Sequence, residues 1–173
     1  GWVIGAEVMR SWPVRYPGLA VDEILSNPGQ KNYDRLALAC IKDAGLEAEI
    51  RMDAFNEDFF VANPADDPGW SEALKEQTPP PLPTDMPLLL LQGTADEVVL
   101  PQPNAYLQRT WCEAGTHVNA LWMGGVNHEL AAAIGGPTAV TWLQQIFAGT
   151  LPASNCNEPI PVLPPLPSTA EVN

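Results

Sequence analysis

Residues 86–99 read Met-Pro-Leu-Leu-Leu-Leu-Gln-Gly-Thr-Ala-Asp-Glu-Val-Val, and residues 117–130 read His-Val-Asn-Ala-Leu-Trp-Met-Gly-Gly-Val-Asn-His-Glu-Leu. The first stretch begins with a short apolar run that does not alternate and is closed by Gly93, a pattern typical of a strand buried on both faces. The second stretch predicts another short strand, over residues 117–123, closed by Gly124. These two strands organise our interpretation of the chain.

Each predicted strand is followed closely by a residue suited to acid or base chemistry, Asp96 after the first and His128 after the second. Their sequence separation of 32 leaves room for one helix, predicted over residues 103–114, and one strand. Such a strand-helix-strand unit is parallel, so both strand ends lie at the same edge of the sheet. We therefore expect Asp96 and His128 to meet, as the acid and base of a Ser-His-Asp triad do.

Four separated motifs in this chain resemble those of a known family. They are residues 86–99, Trp111-Cys112-Glu113-Ala114-Gly115, Gly124-Gly125-Val126-Asn127-His128 and Pro152-Ala153-Ser154-Asn155-Cys156. On these residues the chain resembles the α/β-hydrolase fold, and within it the secretory lipases of fungi and actinobacteria. The resemblance is close over residues 64–156 and looser over the first sixty. It implies that Asp96 is the triad acid and His128 the general base.

The nucleophile of such a triad is missing from the sequence. The elbow that presents it reads Gly-x-Ser-x-Gly between a strand and a helix. None of the five serines has that context; they are Ser11, Ser26, Ser71, Ser154 and Ser168. Only two parallel strands are recognisable, whereas a hydrolase sheet needs several more. We therefore expect the C-terminal portion of an α/β-hydrolase, a parallel sheet with flanking helices, plus a mostly helical cap.

Composition narrows the range of partners. A formal net charge of −13 and a sequence pI near 4.2 oppose binding to nucleic acids and to anionic lipid head groups. No apolar run approaches the roughly 18 residues of a membrane-spanning helix. Neither a cofactor motif nor a metal-ligand spacing is present, and the carboxylates between Glu47 and Asp58 are interpreted as a solvated face.

The three cysteines are Cys40, Cys112 and Cys156. A disulfide between Cys112 and Cys156 would hold the segment after the last helix against the body of the domain. The resemblance implies this pair, and it implies that Cys40 bridges to a cysteine outside this chain. Three reduced thiols remain the alternative, because an odd count leaves the pairing open.

Residues 1–83 are interpreted as a helical cap with a proline-rich connector, residues 84–156 as core, and residues 157–173 as a proline-rich disordered tail. At the start, Pro13 and Pro17 predict short helical turns rather than one helix. The aromatic residues there, such as Trp2, either line an acyl-chain site or are buried in the core.

Four further helices are predicted. Ser26-Asn27-Pro28 is a helix start, and the apolar stripe that follows predicts a helix ending at Gly45. Short helices follow within residues 47–60 and 70–77. In the last helix, residues 130–148, we expect Gly135-Gly136-Pro137 to break the helix. Six apolar side chains of this helix are expected to pack on the sheet: Ala131, Ile134, Val140, Trp142, Leu143 and Ile146.

The expected function is that of a carboxylic-ester hydrolase, a secreted triacylglycerol lipase that takes its serine from the missing N-terminal part of the same hydrolase. Asp85 and His117 are poorer triad candidates because they precede the strands, and Glu97 is expected to point elsewhere. Two alternatives remain open: a non-catalytic hydrolase-like binding module, and a short-chain esterase or peptidase of the same fold.

Overall fold

The computed structural model describes residues 2–39, 44–54 and 57–163. The described residues up to Pro79 form one compact unit, and those from Pro80 onward form a second. The first unit contains the helices α1 (Trp2–Arg15), α2 (Asn27–Ala37), α3 (Ala44–Asp53) and α4 (Pro68–Gln77), with a short 3-10 helix at Pro64–Asp66. The second contains β1 (Leu88–Gly93), α5 (Pro101–Glu113), β2 (Val118–Met123) and α6 (His128–Phe147).

The first unit is built around buried aromatic and aliphatic side chains. Trp2, Val3 and Met9 lie on one face of α1 and are buried, and Trp2 packs 5.3 Å from Phe59 between ring centroids. Each such side chain contributes roughly 1.5–3 kcal/mol through burial. Of the two roles that the sequence left open for these residues, burial in the core is the one observed.

Two sequence expectations about this unit are wrong. Pro13 does not divide α1, because it lies in the last turn, where it removes one backbone hydrogen bond while the buried face holds the helix. Gly45 does not end α2, which stops at Ala37; Gly45 lies in the first turn of α3. Ser26 does cap α2 as predicted, accepting a hydrogen bond from the Gly29 amide. Cys40, which is predicted to bridge to a cysteine outside this chain, lies outside the described residues.

The second unit is a two-stranded parallel sheet with flanking helices, as predicted for part of an α/β-hydrolase. Its register pairs Leu88 with Val118 and Gly93 with Met123, so both strands end at the same edge. The helices α5 and α6 each contact both strands. The carboxyl edge of this sheet is the one that carries the candidate site.

The helix α6 differs from the sequence expectation. Pro137 lies within one continuous helix, and Gly135 packs its bare backbone against Met123 and Leu91 of the sheet. The glycine therefore permits close helix-sheet contact rather than a break. Of the six side chains predicted to pack on the sheet, three are partly buried, namely Ala131, Trp142 and Ile146. Ile134, Val140 and Leu143 are exposed, because only one side of the helix faces the two strands.

A segment after α6 covers the outer edge of β2. The Asn155 side chain accepts a hydrogen bond from the Ala120 amide and donates one to the Ala120 carbonyl, while the Ser154 hydroxyl donates to Val118. The predicted disulfide between Cys112 and Cys156 is present, closing a loop with a sequence separation of 44. The described part of the tail, residues 157–163, contains no helix or strand.

Within the described residues, no helix is both long enough and apolar enough to cross a lipid bilayer.

Replacing Cys112 and Cys156 together by serine should lower the free energy of unfolding by about 2–4 kcal/mol, because the unfolded chain regains the entropy of an open loop. Urea unfolding, with and without a reductant, measures this. The reductant should lower the midpoint of the wild-type chain to that of the double variant and leave the variant unchanged. A wild-type midpoint that does not respond to reduction would contradict the prediction.

Candidate active site

Two loops meet at the carboxyl edge of the sheet: the acid loop, residues 93–99, and the histidine loop, residues 124–127. A β-carbon on Gly93 would lie 2.2 Å from the Val126 carbonyl oxygen, so only glycine permits this approach. The Ala95 amide donates to the same Val126 carbonyl at 3.1 Å, and the Thr94 hydroxyl accepts from the Gly125 amide at 2.9 Å. These contacts hold the two loops together.

Asp96 lies in the middle of the acid loop, and its side chain is only 5% exposed. Its Oδ1 accepts hydrogen bonds from the backbone amides of Val98 and Val99, at 3.0 and 2.8 Å. Its Oδ2 lies 3.0 Å from Nδ1 of His128. Both carboxylate oxygens are therefore held in place.

His128 is the first residue of α6, two positions before the predicted start of that helix. Asn127 caps the helix by accepting a hydrogen bond from the Leu130 amide, which fixes where the helix begins. The His128 side chain is 46% exposed. Because an ionised carboxylate only accepts hydrogen bonds, Nδ1 carries the proton in the neutral ring and Nε2 is left as the basic atom.

The environment of Asp96 favours its ionised form. Burial is the largest single influence and by itself would raise the pKa of the carboxyl group. The hydrogen bonds from His128, Val99 and Val98 together outweigh burial, so the pKa of Asp96 is lowered. The carboxylate is therefore charged at neutral pH and can accept the Nδ1 proton of His128.

The other candidates from the sequence take no part in the bond between Asp96 and His128. Asp85 is exposed and precedes β1, and Glu97 is exposed. His117 lies at the opposite end of the sheet, where its Nε2 is 2.7 Å from the Pro152 carbonyl and so donates to it. That bond ties the segment after α6 to the start of β2, which is a structural role.

One of the carboxylates between Glu47 and Asp58, which the sequence predicts to be solvent-exposed, has a structural function. Glu47 accepts hydrogen bonds from the amides of Trp2 and Val3 and pairs with Arg51 at 2.8 Å. It thus neutralises the amino-terminal end of α1. Among the described residues, no cluster of histidine, cysteine, aspartate or glutamate side chains is arranged to hold a metal ion.

Sequence reasoning missed three residues that support the pair. They are Gln92, Thr94 and Asn127. The sequence places Gln92 at the end of an apolar strand, where a lone polar side chain must find buried partners. Asn127 precedes an acidic residue and an apolar helix, which is a recognisable capping signal.

The family model described as secretory lipase matches residues 16–155. The X-ray structure of Candida antarctica lipase A in its closed state is similar with a TM-score of 0.59 at 19% sequence identity, which is a likeness of fold. The match covers 98% of this chain and 41% of that one, so the chain spans less than half of the length of the lipase. No curated protein sequence matches the chain.

Replacing Gly93 with alanine should lower the free energy of unfolding by about 2 kcal/mol or more, because the new methyl group meets backbone rather than a flexible side chain. Gly124→Ala is the matched control, since nothing lies within 4 Å of a β-carbon at that position in the histidine loop. Urea unfolding of both variants tests this. Equal losses would show that the approach of the two loops is not tight.

Replacing Asp96 with asparagine should lower the free energy of unfolding at pH 7 by about 1–3 kcal/mol. The folded-state pKa of Asp96 lies below its unfolded value of about 3.9. The stabilisation is therefore complete above that pH and is lost as the pH falls through the folded pKa.

Urea unfolding at several pH values should show the gap between wild type and Asp96→Asn closing below about pH 4. Asp85→Asn removes an exposed carboxylate and should change stability by less than about 0.5 kcal/mol. A gap for Asp96→Asn that is the same in acid and at pH 7 would contradict the lowered pKa.

Proposed function

The chain belongs to the secretory lipase family, and we propose that it supplies the acid and the general base of a serine carboxylic-ester hydrolase. Asp96 is the acid and His128 the base. The observation that carries this proposal is the 3.0 Å hydrogen bond between Asp96 Oδ2 and His128 Nδ1, made by a half-exposed ring and a buried carboxylate. A purely structural ion pair does not need one partner open to solvent.

In the proposed mechanism, Nε2 of His128 takes the proton of a serine hydroxyl as that oxygen attacks the ester carbonyl. The ring then returns this proton to the leaving alcohol. Asp96 keeps the ring in its Nδ1–H form and stabilises the imidazolium that forms in between. Among the described residues, no side chain or backbone group hydrogen-bonds to Nε2 of His128, so the atom is available for this transfer.

The nucleophile is proposed to come from another part of the hydrolase. Three serines of this chain have structural bonds: Ser11 donates to the Glu7 carbonyl, Ser26 caps α2, and Ser154 donates to β2. Ser71 lies within α4 and does not follow a strand, and Ser168 lies outside the described residues. The backbone amides that would stabilise the oxyanion are expected beside the elbow serine and in an earlier loop.

The exposed apolar side chains of α6 support the proposal that this helix contacts another part of a larger hydrolase. Five of its large apolar side chains are exposed, namely Leu130, Ile134, Val140, Leu143 and Phe147. Val140, Leu143 and Phe147 follow one another at helical spacing, and an exposed apolar stripe of this kind is unusual on a finished protein. We assign it to contact with the remainder of the same hydrolase. This agrees with a chain that spans 41% of the structurally similar lipase.

We retain the proposed organisation of the chain: a helical cap and connector over residues 1–83, core over 84–156, and a tail over 157–173. The division of the chain into compact units between Pro79 and Pro80 supports a boundary in the proline-rich connector. The cap assignment itself comes from the resemblance alone.

The proposed substrate is an acyl ester of a lipid, a triacylglycerol, and the proposed location is extracellular. The description of the family as secretory lipase supports both. The disulfide between Cys112 and Cys156 gives independent support for secretion, because structural disulfides persist in oxidising compartments.

A non-catalytic binding module is the second candidate, favoured by the absence of a Gly-x-Ser-x-Gly elbow from all 173 residues. The reading frame that encodes this chain separates the two. An elbow serine after a strand supports the hydrolase, whereas a complete frame without one supports the binding module.

In the product of that reading frame, His128→Ala should reduce hydrolysis of a triacylglycerol by at least about 10³-fold, because the general base is lost. It should also abolish labelling of the serine by a fluorophosphonate probe. His117→Gln is the matched control and should retain both, since His117 only ties the chain at the far end of the sheet. Hydrolysis and labelling that survive His128→Ala would overturn the assignment.

A further inference from the structure

Gln92 is a buried amide at the end of β1 that the proposed mechanism does not use. It is 3% exposed. Its Nε2 donates to the carbonyl oxygens of Gly93 at 2.9 Å and Val99 at 3.2 Å. Its Oε1 accepts a hydrogen bond from the Asn104 amide of α5. Both donor hydrogens of the Gln92 side chain are thus engaged, and α5 sets the direction in which they point.

These bonds join the beginning and the end of the acid loop. Val99 is held on both sides, since its carbonyl accepts from Gln92 and its amide donates to Asp96 Oδ1. The Gly93 carbonyl also accepts from the Asp96 amide at 3.4 Å. Because the site of Gln92 is buried, water does not readily replace these bonds when the side chain is removed.

We propose that Gln92 is a positioning residue: its amide, oriented by Asn104, holds the Asp96 carboxylate so that Oδ2 faces His128 and keeps the ring in its Nδ1–H tautomer. The catalytic consequence rests on the function proposed above. The tautomer of His128 is independent of that function and can be measured on this chain, although the chain contains no nucleophilic serine.

The experiment is a long-range nitrogen-proton correlation spectrum of the ¹⁵N-labelled chain, which reports the tautomer of each neutral histidine. The chain has two histidines, and the structure gives them opposite tautomers. His128 should be protonated at Nδ1, and His117, which donates to the Pro152 carbonyl, at Nε2. His117 is therefore an internal reference in every spectrum.

Two matched substitutions separate positioning from general destabilisation. Gln92→Leu removes the amide, and Gln108→Leu removes another buried amide, one that is 2% exposed and accepts from the indole of Trp122 at 2.7 Å. Gln92→Leu should lower the Nδ1–H fraction of His128 below half, because the tautomer is set by the bond that the other nitrogen makes. Gln108→Leu should leave that fraction unchanged.

If Gln92→Leu does not fold, Asn104→Ala decides. This half-buried residue only orients the Gln92 amide, so its loss should shift His128 in the same direction by a smaller amount. A folded Gln92→Leu or Asn104→Ala chain with an unchanged His128 tautomer overturns the proposal. Equal shifts in Gln92→Leu and Gln108→Leu overturn it as well, because the effect would then be one of stability.

In the product of the complete reading frame, Gln92→Leu should lower kcat by about 10- to 100-fold with little change in KM. This is the range for outer partners that orient metal-ligating histidines. A complete reading frame without a nucleophilic serine would contradict the proposed hydrolase function, but it would not affect the tautomer measured for His128. An unchanged tautomer with hydrolysis that depends on His128 would remove the role of Gln92 alone.

Discussion

The contact between the Gly93 backbone and the Val126 carbonyl is the constraint on which the site depends. Parallel pairing brings both strand ends to one edge, but a hydrogen bond between side chains needs the two following loops to touch. A β-carbon at Gly93 would stand 2.2 Å from the Val126 oxygen. With glycine there, the Ala95 amide can reach that carbonyl. Asp96 and His128 then lie 3.0 Å apart.

The same region shows how a buried charge is stabilised. Burial alone would make the Asp96 carboxylate unfavourable, and its three hydrogen-bond donors compensate for this. Two donors are backbone amides of the acid loop, and the shape of that loop depends on Gln92 and Asn104. The electrostatics of the site therefore rest on local backbone geometry, which a neutral amide maintains.

In the second unit, the outer edge of β2 is covered, whereas one side of α6 is not. The outer edge of β2 is satisfied by Asn155 and Ser154, and the disulfide between Cys112 and Cys156 keeps them there. The apolar side of α6, which includes Leu143 and Phe147, stays exposed. Apolar side chains exposed to water are costly, whereas a covered strand edge is not, and this contrast agrees with the proposed contact between α6 and the remainder of the hydrolase.

The sequence by itself determined the strands, their parallel arrangement and the start of α2, because these depend on local patterns: an apolar run closed by glycine, a connection long enough for a helix, and a capping serine before proline. It also brought Asp96 and His128 to one edge of the sheet. Their catalytic roles remain a proposal.

Only the tertiary structure decided where proline and glycine were tolerated. Pro13 and Pro137 both lie within helices. In α1, packing of a buried face outweighs the hydrogen bond lost at Pro13. Gly135 serves close contact with the sheet, and Gly93 serves contact between loops. Two partners of Gln92, the Val99 carbonyl and the Asn104 side chain, lie 7 and 12 positions further along the chain, and no residue pattern reveals them. Such contacts form only when the whole chain has folded, and for that reason a sequence pattern does not disclose them.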